Sequence, residues 1–290
     1  MFLQQITNGV VLGSIYALMA IGYAMVFSLL ELINFSHGQV FMFGAYIGLY
    51  ASKLIADNIL VVFGVAMLIA SILGIGVQQI AVGPLRKKAA PKVSSLITTL
   101  AMGIIIENAV LIIFGSKFQG FKPPFTVHYL DIAGIRISSL EIIIIALSIF
   151  LMIAISLFMY KTKYGMTIRA CSQDSEITSL MGVNVGSVIS ATFAVGSLLA
   201  AIAGVLIGYY YNFVEPSMGA IVGLKGFTAS VLGGRGMISG GVVGGLVLGI
   251  VESLGTMIFS AQYRDSISFT ILILILLFKP EGLLGKRRAK

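Results

Sequence analysis

Residues 141–160, EIIIIALSIFLMIAISLFMY, narrow the folds open to this chain. As a helix rising ~1.5 Å per residue, this stretch is about as long as the ~30 Å hydrocarbon layer of a bilayer is thick. Apolar runs of similar or lesser length recur at residues 6–30, 40–52, 59–82, 93–114, 186–213, 218–232, 242–259 and 266–278. Only 10% of the residues are charged and 58% are hydrophobic. Soluble domains carry roughly 25% charged residues, so this chain cannot cover itself with a solvated surface. It reads as an all-α polytopic membrane protein, a bundle of about 8–9 transmembrane helices with broken or short segments. No basic stretch precedes the first run and no small-residue cleavage site follows it, so that run reads as a retained span.

The net charge of +8 is gathered in a few loops and the C-terminal tail. That distribution suits topology and lipid headgroups, and no nucleic-acid partner is expected. Residues 83–92, GPLRKKAAPK, hold Arg86, Lys87, Lys88 and Lys92 without an acid, which marks a cytoplasmic loop. Alternation then places a loop at about 115–139 outside and a polar island at about 161–185 inside. The N-terminus falls outside. The basic tail falls inside provided that 218–232 crosses the membrane rather than re-entering it. Residues 1–290 read as one transmembrane domain.

Several interruptions in the apolar pattern are informative. Asn34, Ser36 and His37 break the chain between the first two runs, either as a junction at the membrane surface or as a broken helix lining a pathway. Gly233, Gly234 and Gly236 break the later segments. Glu107 lies inside the fourth run and Glu252 inside the eighth, and a carboxylate at that depth is a functional candidate unless it bonds a neighbouring helix or lies at the outer interface. The outer loop has a hairpin pattern around Ala133-Gly134 and either docks a partner or caps the bundle. Tyr209, Tyr210 and Tyr211 suit a membrane interface.

Catalytic constellations are missing. No phosphate-cradling glycine loop precedes a Lys-Ser or Lys-Thr pair, so the chain should not split ATP itself. There is no Ser-His-Asp set and no paired carboxylates. His37 and His128 are far apart, and the single Cys171 reads as a small filler, so no metal is expected. The GGRG turn reads as a helix break ahead of an anion nest. With few membrane acids, the energy source belongs outside this chain, and the polar island is the natural place for an energy-supplying partner to dock.

The island, KTKYGMTIRACSQDSEITSLMGVNV, resembles the cytoplasmic loop of branched-chain amino-acid ABC transporter permeases. The pattern of that family falls here on Gly165, Arg169, Ala170, Gly182, Val183 and Asn184. LINFSHGQVFMFGAY at 32–46 is similar to the family's early motif, with Gln39 where an acid often stands. SVLGGRGMISGGVVGG at 230–245 and FKPEGLLG at 278–285 are similar to its later glycine region and its ending. The resemblance covers essentially the whole chain, and the length resembles the smaller permease subunit.

The resemblance implies a bacterial or archaeal cytoplasmic (inner) membrane importer of leucine, isoleucine or valine. It implies a second permease, two cytoplasmic ATPases that hold ATP and Mg, and an extracytoplasmic solute-binding protein. This chain would bind no cofactor. Transport of urea or short amides, or a self-contained secondary transporter, are the alternatives. The island is expected to form a short coupling helix: Gly165 turns the chain out of the fifth span, Arg169 pairs with an acid of the ATPase or with Asp174 or Glu176, and Gly182 ends the helix. A substrate path is expected between the broken segments, near Asn34, His37, Glu107, Gly233, Gly234 and Gly236.

Overall fold

The computed structural model describes residues 2–88, 90–132, 134–234 and 236–285. Helices α1 (Phe2–Leu30), α2 (His37–Leu54) and α3 (Ile59–Val77) come first; α3 runs through a π-helical turn, Gln78–Val82, into α4 (Gly83–Lys87). α5 (Lys92–Phe114) and α6 (Ser139–Lys161) follow, then the short polar helices α7 (Lys163–Gln173) and α8 (Ser175–Leu180). α9 (Val185–Tyr211), α10 (Met218–Gly233), α11 (Ile238–Ile258) and α12 (Arg264–Phe278) complete the bundle. Six helical stretches are long and apolar enough to cross a bilayer, and α10 is a shorter apolar helix. All nine apolar runs seen in the sequence are helical.

Packing follows an exchange between two halves. α1 lies against α11, and α9 against α3; α10 lies against α1, and α2 against α9. The pairs α2–α3 and α10–α11, and α2–α5 and α10–α12, correspond in the same way. The segments α1-α2-α3-α5 and α9-α10-α11-α12 therefore share one pattern of neighbours, as the halves of an inverted repeat do. Backbone geometry repeats too. Among the described residues, only Glu31 (φ 50°) and Asn212 (φ 62°) are non-glycine residues in the left-handed region, one at the end of α1 and the other at the end of α9. Ser36 and Ser217, which precede α2 and α10, share φ near −70° and ψ between −10° and −17°.

After each left-handed corner the chain folds back into the bundle. His37 packs on Gly22 and on Tyr23, ring centroids 4.6 Å apart, so α2 starts roughly 12 Å short of the end of α1, at 1.5 Å per residue. Asn34, Ser36 and His37 are all buried. The first break is thus internal to the bundle and not a surface junction. α2 and α10 cross where they begin: a Cβ on Gly38 would strike the carbonyl of Gly219 and the Cα of Gly223, and one on Gly219 would reach Met42. Side-chain-free positions let the two backbones touch, as small residues do between membrane helices.

On the side of the α1 N-terminus, strand β1 (Gln119–Gly120) pairs with β4 (Phe213–Val214), and β2 (Tyr129–Ile132) with β3 (Ile135–Ser138). The expected hairpin forms; Ala133 lies outside the described residues, and Gly134 turns with φ 79°. Gln4 bonds both the N–H and the carbonyl of Arg136 at 2.9 Å, which ties α1 to the hairpin. Phe121 is buried over Tyr209, ring centroids 4.5 Å apart. The loop therefore caps the bundle, and Tyr209 sits beneath it in the core rather than at a headgroup interface. A capping box, Ser138 with Glu141, starts α6.

Candidate functional site

Three polar places stand out in an apolar bundle. The first is a cavity of about 330 Å³ beside the α2–α10 crossing, bounded by Tyr23, Phe35, Gln39, Glu107, Gly219 and Phe227 among others. Gln39 stands in the first turn of α2, and its amide donates to Glu107 Oε2 of α5 at 3.0 Å. Gly103, one turn before Glu107, leaves room for Gln39 and Ser36. Asn34 and His37 lie next to this cavity but point into the core. Asn34 Oδ1 accepts from the N–H of Ser36 at 3.2 Å and from its hydroxyl at 2.6 Å, closing the turn on itself. The His37 ring is wedged between Gly22 and Gly196, and among the described residues its Nε2 has no partner.

The structure does not bring Gly233, Gly234 and Gly236 to that cavity. They form the turn between α10 and α11 at the far end of the bundle. Gly233 abuts Gly240, and Gly236 lies against Phe27 and Ser28 at the end of α1. Gly234 has φ 131° and Gly236 φ 77°. The C-terminal motif docks there: Leu283 N–H donates to Leu232 O at 2.7 Å and Leu284 N–H to Gly233 O at 3.0 Å. Two motifs that are distant in sequence thus make one structural unit. Arg235, the centre of the possible anion nest, and the last basic residues, 286–290, lie outside the described residues.

The second place is a buried ionic cluster that sequence reasoning did not assemble. Glu252 is fully buried on α11. Its Oε1 takes Lys225 Nζ of α10 at 3.0 Å and the Tyr16 hydroxyl of α1 at 3.1 Å and forms an ion pair with Arg264 of α12, whose Nε lies 3.3 Å away, and its Oε2 takes Ser268 Oγ at 2.6 Å. Lys225 also reaches Asp265 at 2.7 Å, and Arg264 donates to the Tyr211 hydroxyl at 2.8 Å. Two cations meet two anions, and with Tyr16 and Tyr211 the cluster ties five helices together. The signal was present: Lys225 and Glu252 are lone opposite charges in neighbouring apolar segments, and such charges pair.

The third place is the polar island, which forms two short helices where one was expected. A Cβ on Gly165 would strike the carbonyls of Phe158 and Met159, so only glycine lets α7 fold back on the end of α6. Thr162 caps α7, accepting from Gly165 N–H at 3.0 Å. Asp174 caps α8, its Oδ1 accepting from Glu176 and Ile177 N–H, both at 2.9 Å. Gly182 ends α8 with φ 85°, and Asn184 caps α9 by accepting from Ser187 at 3.1 Å. Ala170 is exposed with its carbonyl taking the Asp174 N–H, and Val183 packs against the core. Arg169 lies over the Tyr160 ring at 5.1 Å instead of pairing with Asp174, whose oxygen is committed to the cap. Cys171 is buried, and that burial raises its thiol above the ordinary range despite a bond to Thr178. Ile177, Leu180 and Met181 stand exposed on and after α8, with Leu180 at 88%.

Residues 5–276 match the family described as branched-chain amino acid transport system / permease component. The chain is 38% identical to the high-affinity branched-chain amino acid transport system permease protein BraD of Pseudomonas aeruginosa, over 98% of this chain and 96% of that one. It is likewise 38% identical to the permease protein LivH of Escherichia coli K12, with the same coverage. A probable branched-chain amino acid transport permease of Methanocaldococcus jannaschii is 27% identical over 96% of this chain and 91% of that one. No solved structure matches the chain. A match over nearly the whole length, across both halves of the bundle, means that this chain belongs to the family of branched-chain amino acid transport system permeases.

Proposed function

We propose that the chain is the smaller permease subunit of an ATP-driven importer of leucine, isoleucine and valine, built as one transmembrane domain over residues 1–290. The observation that carries this reading is the likeness to permeases of that transport system along the full length of both partners. The N-terminus and the 115–139 loop face outward, and the 161–185 island and the C-terminal tail face the cytoplasm of a bacterial or archaeal inner membrane. Gln4 and Arg136 support placing the first two together, and the positive-inside rule supports the rest. A second permease and a solute-binding protein complete the membrane and outer parts.

The apolar knob Ile177, Leu180 and Met181, in a segment that water would otherwise bathe, supports docking of one of two ATPase subunits, which hold ATP and Mg while this chain holds no cofactor. Arg169, with Gly165 and Gly182 framing it, passes the motion of that partner to α6 and α9. The substrate path runs along the α2–α10 crossing, where both broken helices begin. The test is uptake into proteoliposomes that hold the chain co-purified with its partners. ATP inside and loaded binding protein outside should drive uptake of radiolabelled leucine, isoleucine and valine. Uptake that persists without ATP, or that is confined to urea or short amides, would overturn the reading.

A further inference from the structure

We propose that the outward face of α5 is the seam with the second permease subunit, which also supplies the missing wall of the cavity at the α2–α10 crossing. The inference rests on the importer reading above. α5 packs on α2 and on the π-helical turn after α3, and its opposite side is exposed. Ile97, Ala101, Ile104, Asn108 and Ile112 follow one another along that side at intervals of three or four residues, the spacing of a seam between helices. Four of the five suit lipid, and Asn108 does not. It lies roughly 9 Å inside the end of α5, at ~1.5 Å per residue. Its amide donates to Ile104 O at 2.8 Å, but its side-chain oxygen has no partner among the described residues. Acyl chains carry no donor, so a polar group turned outward at this depth calls for a protein neighbour. Other helices differ: over the half of the bundle nearer the strand cap, α3 presents Leu60, Leu68 and Ile72 outward, and α6 presents Ile142, Ile149 and Phe150, all of which lipid can cover. Ala101 and Ala109 are small and exposed, which lets a neighbouring backbone come close. Leu100 and Ile104 belong both to this exposed face and to the wall of the cavity, and Ala220 stands exposed on the opposite rim. The cavity therefore opens on the side of α5 that carries Asn108, and a helix laid along α5 closes it. A partner in that place lines the substrate path, which is the task of a permease.

Site-directed photo-crosslinking of the full complex in native membranes tests the assignment. The photoreactive residue p-benzoylphenylalanine is placed at position 97, 104 or 112 of α5, and at position 142, 149 or 150 of α6 as controls. Irradiation should join the α5 positions to the second permease, identified by peptide mass, at least tenfold more than the α6 positions. Asn108→Leu should lower recovery of the second permease with the tagged chain severalfold, and Asn108→Gln should restore most of it, with the amount of the chain in the membrane unchanged. Cross-links from α5 that reach only lipid, a second copy of this chain or an unrelated protein, equal yields from α5 and α6, or unchanged recovery with Asn108→Leu would overturn the seam while leaving the importer standing. A wild-type complex that contains no second permease would overturn the importer reading, and the seam with it. The cross-linking arm keeps Asn108 in place, so it decides the matter even if Asn108→Leu fails to assemble.

Discussion

Glu252 shows how much a single side chain can hold. It is fully buried, and both of its oxygens are engaged by groups from three other elements. Removing it leaves Lys225 and Arg264 short of their counter-ion, at a cost of ~3–5 kcal/mol for breaking a buried pair from one side. Glu252→Ala should therefore melt well below the wild-type protein in detergent, and Lys225→Met combined with Glu252→Leu should lose less than the two single changes summed. Cys171 gives the opposite case. Burial lifts its thiol above the ordinary range, so near neutral pH it stays protonated, and reactive thiolate forms only on the alkaline side of that range. Maleimide should label it at least tenfold more slowly than a free thiol at pH 7.5, with fast labelling once the protein is unfolded. The small-filler reading of this residue came from the sequence, whereas the cluster around Glu252 did not. Its members lie on five helices, and only packing tells which lone charge meets which.

At the scale of elements, α8 is too small and too apolar on its open side to serve itself. Leu180→Asp with Met181→Asp should cut co-purification of the ATPase subunits about tenfold without lowering the melting temperature. Arg169→Glu should abolish uptake while membrane insertion stays intact, read by membrane fractionation beside a leucine uptake assay. The spans themselves were legible because lipid imposes one length and one composition on every crossing helix. The depth of the α2 start was not. Asn34 and Ser36 satisfy each other locally, as they would in a turn at the membrane surface, and what draws them inward is contact with α9 and α10, far along the chain. The repeat was hidden for a related reason. What the halves share is backbone shape, a left-handed corner held by Glu31 in one and Asn212 in the other, while the side chains around it differ.

For the whole molecule, exchange packs the two halves together, while the strand cap at one end and the polar island at the other make the ends of the bundle distinct, and orientation becomes measurable. In a Cys171→Ser background, an impermeant maleimide should label Lys122→Cys in intact cells and Leu180→Cys only after permeabilisation; the reverse pattern would invert the topology. The same exchange also governs how the protein is made. A lysine at the centre of a lone helix costs about 3 kcal/mol to insert, and α10 is short. Its counter-ions, Glu252 and Asp265, follow it in the chain and have not yet reached the membrane when Lys225 leaves the ribosome. A chain stopped after residue 234 should leave α10 outside the bilayer in a glycosylation-mapping assay, and Lys225→Met should let it in. On that outcome the last three segments enter the membrane as one unit, and the ionic cluster that holds the finished bundle also sets the order of its birth.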